Sequence, residues 1–126
     1  MKGQISFRFF KEPQAVMSNE NSGFHHLADA LLAHILDVVD DLAGDKVDAD
    51  IQSEILTIIL PDRRQFIVNK NAHLSQIWLS SPVSGAWHFQ YDEAAGSWLS
   101  TRGGGESLLG LLAVELSLAT GIAISL

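Results

Sequence analysis

The spacing of apolar residues changes from a helical period to a strand period near Asp48, and this change constrains the fold more than any other feature of the chain. Before it, apolar side chains in residues 24–43 recur at intervals of three and four, which predicts one amphipathic helix ended by Gly44. After it, segments rich in β-branched and aromatic residues are separated by turns such as Pro61-Asp62, which predicts strands. The predicted strands cover residues 50–52, 54–60, 65–69, 76–80, 87–91 and the surroundings of Trp98, and a second helix is predicted at 106–119.

This order of segments predicts an α+β fold, a two-layer α/β sandwich. The strands follow one another through short connections, which favours an antiparallel sheet of about five to seven strands. The apolar stripes of both helices require a surface that buries them, so we expect the N- and C-terminal helices to cover one face of the sheet. The other face is left open to solvent, as antiparallel sheets permit.

The composition excludes several classes of site. A chain of 126 residues is long enough for one domain with its own core. The absence of cysteine excludes disulfides, thiolate metal sites and cysteine nucleophiles, so a metal ligand must be an oxygen or an imidazole nitrogen. The longest apolar runs are far below the roughly 20 residues that span a membrane, which predicts a soluble protein without a membrane partner.

The negative charge is concentrated in one part of the chain. Residues 24–60 carry eight acidic side chains against one base, Lys46, whereas residues 61–126 carry five against four. Nucleic acid prefers a basic surface, so this distribution argues against it and favours a metal ion or a basic protein surface as partner. A solvated acidic face that keeps the protein in solution is the alternative explanation.

The first predicted helix and the strand after it hold the candidate metal ligands. Asp29, Asp37 and Asp41 are spaced at multiples of four and form one row on the helix, an arrangement that mildly destabilises it. Hard cations prefer carboxylate oxygen, and Fe²⁺ also accepts imidazole, so the row favours an open, weak metal site. The pairs His26–Asp29 and His34–Asp37, each three residues apart on the helix, could each chelate one ion. The candidate ligands are His26, Asp29, Asp37, Asp40, Asp41, Asp45, Asp48 and Asp50.

Other motifs give little support for catalysis. Gly103-Gly104-Gly105 precedes the second helix but lacks the Lys-Ser/Thr of a phosphate-binding loop. No serine has the elbow or the neighbouring base of a nucleophile, so we do not expect an ordinary enzyme. Trp78 alternates with polar residues and can face either the core or the open side of the sheet; an exposed position would make it an anchor for a partner protein.

Two strings of the sequence resemble the signature of the frataxin family. They are Asn69-Lys70 and the segment 77–85, Ile-Trp-Leu-Ser-Ser-Pro-Val-Ser-Gly, followed by Trp98. The opening of the first helix, Phe-His-His-Leu-Ala-Asp at 24–29, and the acidic pattern around Asp40-Asp41 are also similar to that family. The resemblance covers residues 22–126.

The resemblance implies a protein that binds Fe²⁺ and Fe³⁺ weakly and delivers iron to, or regulates, the cysteine desulfurase–scaffold complex of iron–sulfur cluster assembly. It implies an acidic ridge formed by Asp29, Asp37, Asp40, Asp41, Asp45, Asp48 and Asp50. It also implies an exposed Trp78, a buried Trp98, and a docking surface formed by Asn69, Asn71, Ile77, Trp78 and His88. Iron storage or ferroxidase activity on oligomerising is the alternative function, and an acidic adaptor with incidental metal binding is a third.

The start of the chain and its compartment are less constrained. Residues 1–21 are expected to be a flexible tail or a short presequence, and Ser22 or Asn21 to cap the first helix of a domain at 22–126. The segment 81–85 together with His88 favours a bacterial, cytoplasmic protein, and the mitochondrial matrix or a related organelle is the alternative. We expect a monomer that can oligomerise with iron.

Overall fold

The structure, a computed structural model, describes the backbone of residues 13–126 and the side chains of residues 23–126. It confirms the predicted α+β fold, with six strands between two helices. The helices are α1 (Pro13–Ala43) and α2 (Leu108–Thr120). The strands are β1 (Asp48–Gln52), β2 (Ile55–Ile59), β3 (Gln65–Asn71), β4 (Gln76–Ser81), β5 (Gly85–Asp92) and β6 (Ser97–Ser100). None of the helices in this part of the chain is long and apolar enough to cross a membrane.

The six strands form one antiparallel sheet in chain order, so β1 and β6 are its edges. Side chains alternate between the two faces, and one face packs under both helices. In β4, Ile77 and Leu79 are buried in this core, while Gln76 and Trp78 point to the opposite, open face. The buried Trp98 belongs to the core, as predicted.

Helix α1 begins eleven positions earlier than the sequence pattern indicates. It starts at Pro13 and continues through Asn21 and Ser22, so the predicted cap at those two residues is wrong. Proline is favoured in the first turn of a helix because that turn needs no amide hydrogen from it. Residues 1–12 of the predicted tail or presequence lie outside the described residues, and that interpretation stays a prediction.

The helix ends are set by local chemistry. A Cβ on Gly44 would lie 2.5 Å from the carbonyl oxygen of Asp40, so only glycine fits directly after α1. At α2, the Ser107 hydroxyl accepts a hydrogen bond from the Gly110 amide, and Gly121 ends the helix with a left-handed φ of 74°.

The turn between β1 and β2 consists of Ser53 and Glu54, both in the left-handed region with φ of 51° and 65°. Two consecutive positive φ values match a type I′ turn, whose twist suits a two-residue hairpin. Residues other than Gly, Asn and Asp rarely adopt this backbone conformation, which costs about 1–2 kcal/mol per residue. The turn therefore holds Glu54 in a conformation that it does not favour by itself.

We expect Ile77→Ala and Ile55→Ala to differ strongly, because the two side chains lie on opposite faces of the sheet. Ile77 is fully buried and Ile55 is 40% exposed. The first substitution should lower the free energy of unfolding by about 2–5 kcal/mol and the second by less than about 1 kcal/mol. Urea unfolding measures both, and equal losses would contradict the observed orientation of β4.

Candidate metal-binding ridge and docking face

The acidic ridge follows one edge of the sheet. Helix α1 packs against the edge strand β1, so the acidic helix and the acidic strand lie at the same edge of the sheet. Asp48 and Asp50 alternate with the inward-facing Ala49 and lie on the open face of β1. All six carboxylates from the middle of α1 onward are exposed, namely those of Asp37, Asp40, Asp41, Asp45, Asp48 and Asp50.

These six carboxylates have no cationic partner within 4 Å among residues 23–126. The nearest base in the sequence, Lys46, donates instead to the carbonyl oxygen of Thr120 at 3.3 Å. Asp50 accepts a hydrogen bond from Gln52 at 2.8 Å. A row of exposed like charges without counter-charges costs stability, and a bound cation would relieve that repulsion.

The ridge is an open surface and not a preformed coordination site. Within the described part of the chain, no three His, Asp or Glu side chains are grouped so that they could hold a metal ion. Exposed carboxylates that are not held by neighbours bind a cation weakly and exchange it quickly. Weak, unspecific metal binding at the ridge therefore stays a prediction.

Asp29 differs from the other ridge residues because it is paired with Lys70. The Lys70 ammonium donates to Asp29 Oδ1 at 2.6 Å, to Glu54 Oε1 at 2.9 Å and to His25 Nδ1 at 3.1 Å. These three acceptors match the three N–H donors of the ammonium group. We call these four residues, Lys70, His25, Asp29 and Glu54, the Lys70 clasp.

The Lys70 side chain is only 4% exposed, whereas those of Asp29 and Glu54 are 60% and 69% exposed. Burial of the ammonium opposes its charged form, but its hydrogen bonds to the two carboxylates outweigh this, and the pKa of Lys70 is raised. Lys70 therefore keeps its positive charge at physiological pH.

The remaining imidazoles near α1 have different surroundings. His26, a predicted metal ligand, is exposed on α1. His34 Nε2 donates to the carbonyl oxygen of Leu126 at 2.9 Å and so attaches the C-terminus to α1. His34 therefore has a structural contact, and His26 as a ligand stays a prediction.

The open face of the sheet carries a row of residues that pair across five strands. Asn69 lies opposite Trp78, and Trp78 lies opposite His88. The indole and imidazole rings are stacked, with centroids 4.2 Å apart and planes 11° from parallel. Trp78 Nε1 donates to Gln76 Oε1 at 2.8 Å, so the indole is held in place. The row continues through Ile55 to Gln52 at the β1 edge.

The structure corrects one predicted docking residue and explains another. Ile77 is 0% exposed because the strand alternation turns it toward the helices, so its prediction as a surface contact is wrong. Asn71 Oδ1 accepts a hydrogen bond from the Leu74 amide at 3.0 Å and thereby shapes the β3–β4 turn. Sequence reasoning missed the half-exposed Ile55, Ile59 and Ile67 of the open face, which strict counting of the two-residue period from Trp78 could have found.

Comparisons with known proteins agree with this architecture. The family model of the frataxin-like domain matches residues 17–122. The mitochondrial frataxin homolog of Schizosaccharomyces pombe is 40% identical over 98 residues, which cover 75% of this chain and 61% of the relative. The iron-sulfur cluster assembly protein CyaY of Vibrio vulnificus is 36% identical over 86 residues, which cover 68% of this chain and 79% of the relative.

Among solved structures, trimeric frataxin from the yeast Saccharomyces cerevisiae, complexed with ferrous iron, has a TM-score of 0.66. It is 32% identical, and the match covers 75% of this chain and 85% of that one. The chain thus spans most of the yeast structure but less than two thirds of the Schizosaccharomyces pombe relative.

We expect Trp78→Ala to leave the fold nearly unchanged, in contrast to Trp98→Ala. Trp78 stands on the open face, whereas Trp98 is 5% exposed and packs edge-on against Phe24 and Tyr91. The first substitution should cost less than about 1.5 kcal/mol of unfolding free energy and the second about 3–5 kcal/mol. Thermal unfolding of the two variants measures the difference, and similar losses would place Trp78 in the core.

The raised pKa of Lys70 gives a pH dependence of known sign. A group whose folded pKa lies above its unfolded value stabilises the protein fully below that value, 10.5 for lysine, and loses this contribution as the pH rises through the folded pKa. Urea unfolding of the wild type and Lys70→Met should therefore show a constant free-energy difference from about pH 7 to about pH 10. Above that pH the wild type should lose stability relative to the variant; a difference that stays flat to pH 12 would show that the clasp adds no charge-dependent stability.

Proposed function

The chain belongs to the frataxin-like family, and from this premise we propose that it binds iron on its acidic ridge and serves iron–sulfur cluster assembly. The observation that carries the proposal is the row of six exposed carboxylates without cationic partners among the described residues, beside an open sheet face with Trp78. One edge of the molecule thus offers a weak cation site, and the adjacent face offers a surface for a protein. Both fit a protein that carries iron to an assembly complex.

Iron is the cargo in this proposal and not a resident cofactor. Fe³⁺ and Fe²⁺ accept carboxylate oxygens, and carboxylates on an exposed edge can release the ion to a better ligand set. The yeast frataxin complexed with ferrous iron supports iron as the ion in question. The six ridge carboxylates from Asp37 to Asp50 are the proposed ligands, because Asp29 is already paired.

The proposed protein partners are a cysteine desulfurase and the iron–sulfur scaffold protein, which the resemblance implies; the name of the Vibrio vulnificus relative supports iron–sulfur cluster assembly as the pathway. Trp78, stacked on His88 and opposite Asn69, would supply the aromatic anchor. The ridge would attract a basic surface of the partner and set the salt dependence of the encounter. The relatives include mitochondrial and bacterial proteins, so they do not decide between compartments. We keep the bacterial cytoplasm as the proposed compartment, on the basis of segment 81–85 and His88, and the mitochondrial matrix as the alternative.

Iron storage with ferroxidase activity is the second candidate function. The similarity to a trimeric frataxin complexed with ferrous iron favours it. Oxidation of paired ferrous ions needs carboxylates in a defined arrangement, and the described residues contain no three-ligand group. We therefore rank it below iron delivery. Oxygen uptake that accompanies iron addition, together with assembly in gel filtration, would reverse this order.

Charge reversal on the ridge tests the proposed function. The double substitution Asp37→Lys/Asp41→Lys should weaken the binding of Fe²⁺ and of the desulfurase by about tenfold or more, because it replaces two attractive charges by repulsive ones. Anaerobic calorimetric titration with Fe²⁺ and pull-down with the desulfurase measure the two effects.

The matched control is Glu93→Lys/Glu106→Lys. It makes the same change in net charge at exposed positions beside β5 and β6, on the side of the sheet opposite β1. This control should bind both partners within about twofold of the wild type at moderate salt. If both double variants lost equal affinity for Fe²⁺ and for the desulfurase, the ridge would act only through the net charge of the protein.

A further inference from the structure

Three acceptors of the Lys70 clasp reach one point from different elements of the fold. His25 and Asp29 lie one turn apart on α1, Glu54 lies in the β1–β2 turn, and all three contact Lys70 Nζ within 3.1 Å. Lys70 itself rises from β3 on the helix side of the sheet, in line with the buried Phe66 and Val68. An imidazole nitrogen and two carboxylate oxygens thus surround one positive charge.

Imidazole nitrogen and carboxylate oxygen are donor types that a first-row metal ion accepts, but with the ammonium between them the three side chains are not grouped as a metal site. Divalent ions of this kind take nitrogen and oxygen ligands at about 2.0–2.2 Å. The three acceptor atoms lie 2.6 to 3.1 Å from Lys70 Nζ. They therefore surround an ammonium group, which is larger than a metal ion and carries a single charge. Asp29 and Glu54 have largely exposed side chains and could move inward if the ammonium were absent.

The clasp contrasts with the rest of the ridge in one respect. The carboxylates from Asp37 to Asp50 have no cation among the described residues, whereas Asp29, two helical turns before Asp37, has a built-in one. A metal ion at Asp29 would have to displace Lys70 or bind within a few ångströms of its charge. Both alternatives weaken binding.

We infer that Lys70 determines where iron binds: its ammonium occupies the His25–Asp29–Glu54 cluster as a covalently attached cation and confines iron to the ridge from Asp37 to Asp50. The inference rests on the proposed function, since it divides the same ridge into a metal-binding part and an excluded part. Lys70 is thereby a specificity-determining residue that need not touch the iron.

The test is a double-mutant cycle of Lys70→Met and Asp29→Asn, read by anaerobic calorimetric titration with Fe²⁺ and repeated with Co²⁺, which does not oxidise. In the wild-type background, Asp29→Asn should leave the affinity within about twofold, whereas Asp41→Asn on the same helix should weaken it. Lys70→Met should add a second Fe²⁺ site whose affinity is at least about tenfold higher than that of the ridge. The reason is that the repelling ammonium is removed while His25, Asp29 and Glu54 remain as ligands. The double variant should lose that added site.

Two further measurements keep the outcomes distinct. Lys70→Arg retains the charge and should bind metal like the wild type, which separates charge from packing; the melting temperature of each variant checks that it folds. An Asp29→Asn loss as large as that of Asp41→Asn in the wild type would overturn the inference, and so would Lys70→Met without an added site. If neither aspartate matters and the wild type binds no iron, the proposed function fails, while a gain in Lys70→Met would still show that the ammonium excludes metal from the cluster.

Discussion

Burial of one sheet face beneath the two helices is the constraint on which the other features depend. Because side chains alternate along each strand, this burial assigns every strand residue either to the core or to the open face. Ile77 and Trp78 are neighbours in the chain, and the alternation alone separates a core residue from a surface aromatic. The same constraint packs α1 against β1, so the acidic helix and the acidic strand lie at one edge of the sheet, with Asp48 and Asp50 on its open face.

The fold was predictable because its signals are local and repeated. The change of hydrophobic period, the turn at Pro61-Asp62 and the glycine at position 44 each act within a few residues, and all agree with the observed elements. The start of α1 was not predictable in the same way. The sequence after Pro13 lacks a strong apolar stripe, so the pattern indicated a helix only from Phe24, which is buried in the core.

The sequence predicted which charged residues form the site, but it did not predict which of them form ion pairs. Exposed carboxylates follow from composition and helical spacing, whereas the partner of Asp29 is 41 residues away in the sequence. Nothing in the local pattern around Lys70 indicates that its ammonium meets α1 and the β1–β2 turn. Ile77 was assigned to the docking surface through the resemblance, and a consistent alternation with Trp78 would have prevented this.

The ridge also makes the charge distribution of the molecule uneven and so gives it a permanent dipole moment. Six carboxylates without a counter-charge in the described residues lie at the β1 edge, and the chain as a whole has a net charge of −7. In the field of a cationic partner such a dipole experiences a torque before the surfaces meet, over a range of about 8 Å at physiological salt. The molecule would therefore tend to arrive with its β1 edge and the adjoining open face forward, which reduces the rotational search that a docking surface on one side of a small protein otherwise requires.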